Sequence, residues 1–269
     1  MTVRKSWADS PASGGRLDSV TMSVQPDSLP DPASDPVPAS LRGSVVAVPD
    51  GPGVRDLPLP GTWVRTPRIF PDDRGTFLEW FRGDEMTDIL GYPFVIPQAN
   101  LSTSREGVVR GIHYADVPPG QAKFVTCVAG RILDVIVDLR RGSPTFGRHI
   151  VVELSDVNRR GLFLPVGVGH GFVVPAGAGP ATVCYLVSEG YNPGAEHGVC
   201  PTDPGLGIDW SVAGLDPESL VLSDKDRAAP GLHEVEATLP LYSECRGWEQ
   251  EMRHGWELAN AEAEDWEGE

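Results

Sequence analysis

The sequence predicts an all-β chain, an antiparallel sandwich or barrel, on three observations. From residue 61 to about residue 232, short β-branched or aromatic runs recur at close spacing. Gly, Pro and Asp turns separate them, and helical periodicity is scarce in that span. Many short strands divided by turn residues build sandwiches and barrels rather than parallel α/β sheets.

Residues 1–60 precede this pattern and are rich in Pro, Ser, Gly and Asp, as in QPDSLPDPASDPVPAS, with Trp7 a lone aromatic. Such a stretch cannot bury enough apolar area to offset its ordering entropy. A disordered extension is expected there, with the short apolar patch SVVAV at 44–48 docking weakly. The strand runs follow in order: TWVRTPRIF at 62–70, GTFLEWF at 75–81, KFVTCV at 123–128, RILDVIVDL at 131–139, HIVVEL at 149–154, GLFLPV at 161–166, HGFVVP at 170–175 and TVCYLV at 182–187. Lys123–Val128 and Arg131–Leu139 flank the two-residue turn Ala129-Gly130 and read as a hairpin. In that register Val125 opposes Asp134 and Lys123 opposes Ile136. Side chains alternate faces along a strand, so Lys123 and Asp134 share a face as diagonal neighbours. Their alternatives are a site and a surface ion pair. After residue 233 the chain is acidic, with eleven Asp or Glu against two Arg. Trp248, Met252 and Trp256 recur at i, i+4, i+8 and predict one stripe of a C-terminal helix, followed by a frayed tail at the end of 233–269.

Composition narrows the function. Hydrophobic residues at 40% and charged residues at 22% allow a packed core. A net charge of −16 argues against a nucleic-acid surface, which would be basic. It leaves room for a phosphate pocket, which needs only a few local cations. No window reaches the ~18 apolar residues of a membrane span, and the start MTVRKSWADSPASGG has no apolar run of a secretory signal. The four cysteines, Cys127, Cys184, Cys200 and Cys245, have no CxxC spacing. Reduced thiols in a cytoplasmic protein are expected.

Of six histidines, two stand out. His113 lies in RGIHYADVPPGQAKFVTC and His170 in LPVGVGHGFVVP. PVGVGH resembles the second signature of cupins, P-x-G-x-x-H, in which a tight Gly turn delivers a His into a barrel mouth. The first cupin signature normally supplies two His two residues apart; the matching place here reads His113-Tyr114-Ala115, with one His. A catalytic metal typically takes three protein ligands, so the set is incomplete and no metal is expected.

Eight segments carry a wider resemblance: DDRGTFLEWF (72–81), QANLSTSREGVVRGIHY (98–114), PPGQAKFVTCVAG (118–130), DVIVDLRRGSPTFG (134–147), PVGVGHGF (165–172), YLVSEGYNPGAEHG (185–198), DPGLGIDW (203–210) and LSDKDRAAP (222–230). In this order they resemble the dTDP-4-dehydrorhamnose 3,5-epimerase family, from about Trp63 to Pro230. The resemblance implies a cupin-type double-stranded β-helix, or jelly roll, over residues 61–232, with a few short helices. It implies epimerisation at C3 and C5 of a dTDP-linked 4-keto-6-deoxy sugar, without a cofactor, in a homodimer. A ketone at C4 acidifies the hydrogens on C3 and C5, so such an enzyme needs a base, an acid on the opposite face, and a group to hold the enolate oxygen.

The same resemblance implies residue roles. His113 matches the base and Asp226 the acid paired with it, a carboxylate that fixes the tautomer and stabilises the imidazolium. Lys123 matches the cation facing the C4 oxygen. Tyr185 matches the proton donor on the far face, and Tyr191 in EGYNP ranks below it as a rival. Arg74, Arg110 and Lys225 match diphosphate or nucleoside contacts, where an arginine fork binds two oxygens at once. Gln98, Ala99 and Asn100 match a nucleotide-binding run, Glu79 and Glu196 further nucleotide-side contacts, and Phe77 a base-stacking ring. His170 matches a pocket histidine, and Asp134 stands behind the site. Strict alternation puts Arg110 and His113 on opposite faces, so a bulge at Gly111 is predicted. Glu79 is expected to reach a partner's ligand.

Overall fold

The structure, a computed structural model, describes residues 45–267. Among the described residues thirteen strands are formed: β1 Gly53–Asp56, β2 Trp63–Thr66, β3 Ile69–Asp72, β4 Gly75–Leu78, β5 Gln98–Ser104, β6 Val109–Ala115, β7 Lys123–Ala129, β8 Arg131–Asp138, β9 His149–Ser155, β10 Gly161–Leu164, β11 Val168–Val173, β12 Ala181–Val187 and β13 Glu196–Gly198. One sheet has the order β1-β2-β10-β7-β12-β5 and faces a second, β13-β6-β11-β8-β9. All pairings between these strands are antiparallel. From β9 on, successive strands alternate between the sheets, as in the predicted jelly roll. No helix among the described residues is long and apolar enough to cross a membrane.

Alternation explains the layering. The inner faces pack Val125 and Cys127 of β7, Ile132 and Ile136 of β8, Ile150, Val152 and Leu154 of β9, Val168 and Phe172 of β11, and Val183 of β12 into one aliphatic core. The outer face of the five-stranded sheet presents Val109, Leu133, Val135 and Val173 to Leu206, Trp210 and Leu220 of the later loops. The outer face of the six-stranded sheet presents Trp63, Phe124, Phe163 and Leu186 to a helical layer.

The predicted hairpin does not form. β7 pairs with β10 and β12, whereas β8 pairs with β9 and β11. The Ala129-Gly130 corner instead carries the chain from one sheet to the other. Gly130 has φ +75°, and a Cβ there would meet the Pro180 carbonyl oxygen at 2.6 Å. A tight hairpin and a corner between sheets ask for the same glycine, and local sequence does not separate them. Lys123 and Asp134 still share a surface, because both point into the interior from opposite sheets.

The ordered barrel also begins earlier than residue 61. β1 pairs with β2, and Leu57 and Leu59 are buried in the inner core. The Val46 N–H donates to Val151 O at 2.7 Å, and Val46 and Val48 pack on the same core. These residues lie along β9, whose backbone edge would otherwise be unpaired. Residues 1–44 of the expected extension lie outside the described residues.

The helical layer consists of α1 (Gly83–Leu90) and the long α4 (Tyr242–Glu267). Met86 and Leu90 of α1 are buried. On α4 the packed stripe runs through Cys245, Trp248, Arg253 and Trp256, while Met252 sits at its exposed rim. Arg253 Nε donates to the Leu90 carbonyl at 2.7 Å, so its aliphatic stem covers ground the predicted stripe gave to methionine.

Candidate active site

The polar end of the barrel interior is built around β6. There β11 matches His170 with His113 but Phe172 with Arg110, so Gly111 and Ile112 oppose a single residue. This is the expected bulge, and it turns Arg110 and His113 to the same inner face. Gly111 has φ +117°, and a Cβ there would lie 2.5 Å from Gly171 Cα and 2.6 Å from His170 O, contacts that only glycine avoids. The peptide bond after Gly111 is cis.

His113 Nε2 lies 2.7 Å from Asp226 Oδ1. Asp226 comes from the short helix α2, Asp224–Arg227, whose N-cap Ser223 accepts the Asp226 N–H. Burial pushes the Asp226 carboxyl up, but hydrogen bonds and attraction from His113, with help from Ser223 and the Gly111 N–H, outweigh it and hold it below the ordinary aspartate value. The bulge therefore serves both members of the pair. Next to it on β11, His170 Nε2 lies 2.8 Å from Asp134 Oδ2. Asp134 is fully buried, and its Oδ1 has no hydrogen-bond partner among the described residues.

Lys123 enters from the opposite sheet. It is only 8% exposed, and its ammonium makes no hydrogen bond or ion pair among the described residues. Burial lowers its pKa, opposed by the negative charges of Glu196 and Asp134. Tyr185 on the adjacent β12 packs against the inner core from the same face. Its phenol is raised by burial and by Glu196, and lowered by Arg110. An imidazole with a carboxylate behind it, a buried ammonium and a phenol thus all turn to the barrel interior.

The inner face of β5 adds Gln98, Asn100, Ser102 and Ser104 in strict alternation. Gln98 Nε2 donates to Asn100 Oδ1 at 2.7 Å, and Gln98 Oε1 accepts the Tyr191 N–H at 2.9 Å. Arg110 Nε donates to Ser104 Oγ at 2.9 Å, leaving the exposed end of the guanidinium for an anion. Glu196 on β13 pairs with Ala115, two residues from His113, and so points inward.

The remaining sequence-predicted residues are not gathered in this cavity. Arg74 and Phe77 sit on the exposed β3–β4 hairpin, where Arg74 binds Asp72 and Phe77 is 65% exposed against Phe70. Glu79 follows the hairpin, 3.6 Å from Arg82. Ala99 alternates away from Asn100 and lines an outer groove with Trp80, Leu101, Cys184 and Leu186. Lys225 is exposed on α2. Two inward groups escaped the sequence reading, Gln121 and Ser102. Ser102 Oγ is buried and makes no hydrogen bond among the described residues. Both lie at even spacing from noted residues, Gln121 two before Lys123 and Ser102 two after Asn100, which was the signal to follow.

The pattern of the dTDP-4-dehydrorhamnose 3,5-epimerase family matches residues 56–234. The chain is 48% identical over 195 residues to the dTDP-4-dehydrorhamnose 3-epimerase of Streptomyces niveus, spanning 72% of this chain and 91% of that one. It is 44% identical over 201 residues to the dTDP-4-dehydrorhamnose 3,5-epimerase of Mycobacterium tuberculosis, spanning 74% and 98%. The crystal structure of ChmJ, a 3'-monoepimerase from Streptomyces bikiniensis in complex with dTDP-quinovose, superimposes with a TM-score of 0.68 at 41% identity, over 73% of this chain and 98% of that one. With the site geometry, the match over most of the barrel means that this chain belongs to the dTDP-4-dehydrorhamnose 3,5-epimerase family and is an isomerase of nucleotide-linked sugars.

Proposed function

We propose that this enzyme inverts both C3 and C5 of dTDP-4-dehydro-6-deoxy-D-glucose, giving dTDP-4-dehydro-L-rhamnose on the route to dTDP-L-rhamnose. The reading is supported by the His113–Asp226 pair and by Lys123 and Tyr185 turned to the same barrel interior. His113 takes the proton from the carbon next to the ketone. Asp226 holds the ring and balances the imidazolium. Lys123 stabilises the enolate oxygen at C4. Tyr185 returns a proton from the opposite side, and inversion results. His170, oriented by Asp134, borders the sugar and diphosphate. Arg110 and Lys225 take the diphosphate, and the Gln98–Asn100 run the nucleoside. No metal or other cofactor takes part, and the four free thiols suit a reducing cytoplasm.

Solvent deuterium tests the reaction. Incubation in D2O with the sugar nucleotide, followed by NMR, is expected to place label at both C3 and C5. A second reading is favoured by the 48% identity to a 3-epimerase: inversion at C3 alone. Label confined to one carbon would establish that reading and remove the first.

A homodimer completes the site in this proposal. β5 is a sheet edge with unpaired backbone, and its outer face carries Leu101, 65% exposed, beside Trp80. The β3–β4 hairpin is exposed along its length. A second copy covering the two would carry Arg74, Phe77 and Glu79 to its partner's nucleotide. Light scattering is expected to give twice the chain mass of 28.9 kDa; a monomer mass with full activity would exclude it.

A further inference from the structure

We infer that Glu196, gripped by Gln121, is the counter-ion that keeps Lys123 charged inside the cavity, and so is a positioning residue for the reaction; this rests on the proposed role of Lys123 at the C4 oxygen.

A buried ammonium without an opposite charge loses its proton rather than stay ionised. A neutral amine at that point would do little for an enolate oxygen. The titratable and charged groups turned to the same barrel interior as Lys123 are Asp134 from β8, His170 from β11, Tyr185 from β12, Arg110 and His113 from β6, and Glu196 from β13. Asp226 is turned to His113 at 2.7 Å, and Asp134 gives one oxygen to His170 at 2.8 Å. Glu196 is the larger of the two negative influences on Lys123, ahead of Asp134.

Glu196 is also held for such a task. Its Oε1 accepts Gln121 Nε2 at 3.2 Å and the Asn192 N–H at 3.3 Å. Its Oε2 makes no hydrogen bond among the described residues and is open to the cavity. Gln121 Nε2 also donates to Glu189 O at 3.0 Å, so one amide spans both ends of the 189–196 segment. The segment closes on itself, because Asn192 O accepts the N–H groups of Ala195 and Glu196 at 3.0 Å. Gln121 precedes Lys123 by two residues, the spacing at which strand side chains share a face. The clamp therefore sits in the segment that leads directly into β7, two residues before the cation.

The chain has three lysines, Lys5, Lys123 and Lys225, so lysine labelled with 13C at Cε gives a spectrum simple enough to titrate. Lys123→Arg assigns the resonance. In substrate-free protein, Glu196→Gln is expected to lower the Lys123 midpoint by about one pH unit or more. Gln121→Ala should move it the same way by less, and Glu196→Asp, which keeps the charge, should restore most of it. The alkaline limb of kcat/KM should move in step. An unchanged midpoint in both Glu196→Gln and Gln121→Ala overturns the inference. A midpoint that moves while the rate profile stays supports the pairing and instead removes Lys123 from the C4 oxygen. The NMR arm needs no turnover, so failure of the epimerase reading leaves it decisive.

Discussion

Replacing Asp226 by Asn removes one negative charge beside His113 and preserves the side-chain shape. The carboxylate oxygen lies 2.7 Å from His113 Nε2. A hydrogen bond of this length to a charged group contributes about 1.5–3 kcal/mol. The His113 side chain is 36% exposed, so water screens part of the attraction. A loss of about 1.5–3 kcal/mol in the proton-abstraction step is therefore expected, or about 10–150-fold in kcat. The asparagine amide can also offer an N–H to the ring and favour the wrong tautomer, which pushes the loss toward the upper value. KM should change little, because Asp226 meets the ring rather than the sugar nucleotide. The assay is initial-rate deuterium uptake from D2O into dTDP-4-keto-6-deoxyglucose, read by mass spectrometry. Thermal unfolding serves as a control, since Asp226 is buried and its backbone N–H is held by the helix N-cap Ser223. A folded Asp226→Asn enzyme with wild-type kcat would refute the assignment of this pair as the base.

Three further outcomes are expected. Tyr185→Phe should still exchange deuterium at the carbon His113 reaches, while inverted product falls by about 10²–10⁴-fold; inversion at the wild-type rate, followed by NMR, would remove Tyr185 as the donor. Gly111→Ala brings a Cβ to 2.5 Å from Gly171 Cα, so it should cost about 1–3 kcal/mol, seen as a fall in Tm, and should separate Arg110 from His113 with a larger loss of turnover. Burial lowers the Lys123 pKa below its ordinary 10.5. The protonated form is the useful one, so kcat/KM should fall as pH rises, below the range where an exposed lysine titrates. Burial raises Tyr185 above its ordinary 10.0, so the phenol keeps its proton at neutral pH. A profile flat up to pH 10.5 would contradict this.

How much of the site was legible depends on distance along the chain. The bulge could be read from Arg110, Gly111 and His113 because parity within one strand is a local property. The inward direction of Lys123 and Asp134 was legible for the same reason, though the hairpin used to join them was not the right connection. Gln121 obeyed the same two-residue rule and was passed over because an amide carries no charge to draw attention. The docking of Val46 and Val48 along β9, and of Arg253 against α1, left no local trace, since each contact joins distant segments.

By itself the sequence determined the all-β class, the family, the imidazole, ammonium and phenol, and the face each strand turns inward. These follow from a period of two and from residue chemistry, and both are short-range. Only the tertiary structure decided that β7 and β8 belong to opposite sheets and that Asp226 reaches His113 from 113 residues away. It alone joined Glu196 to Gln121, two residues before Lys123. Strand partners are chosen by burying apolar faces across the whole barrel, and that choice balances many distant segments at once.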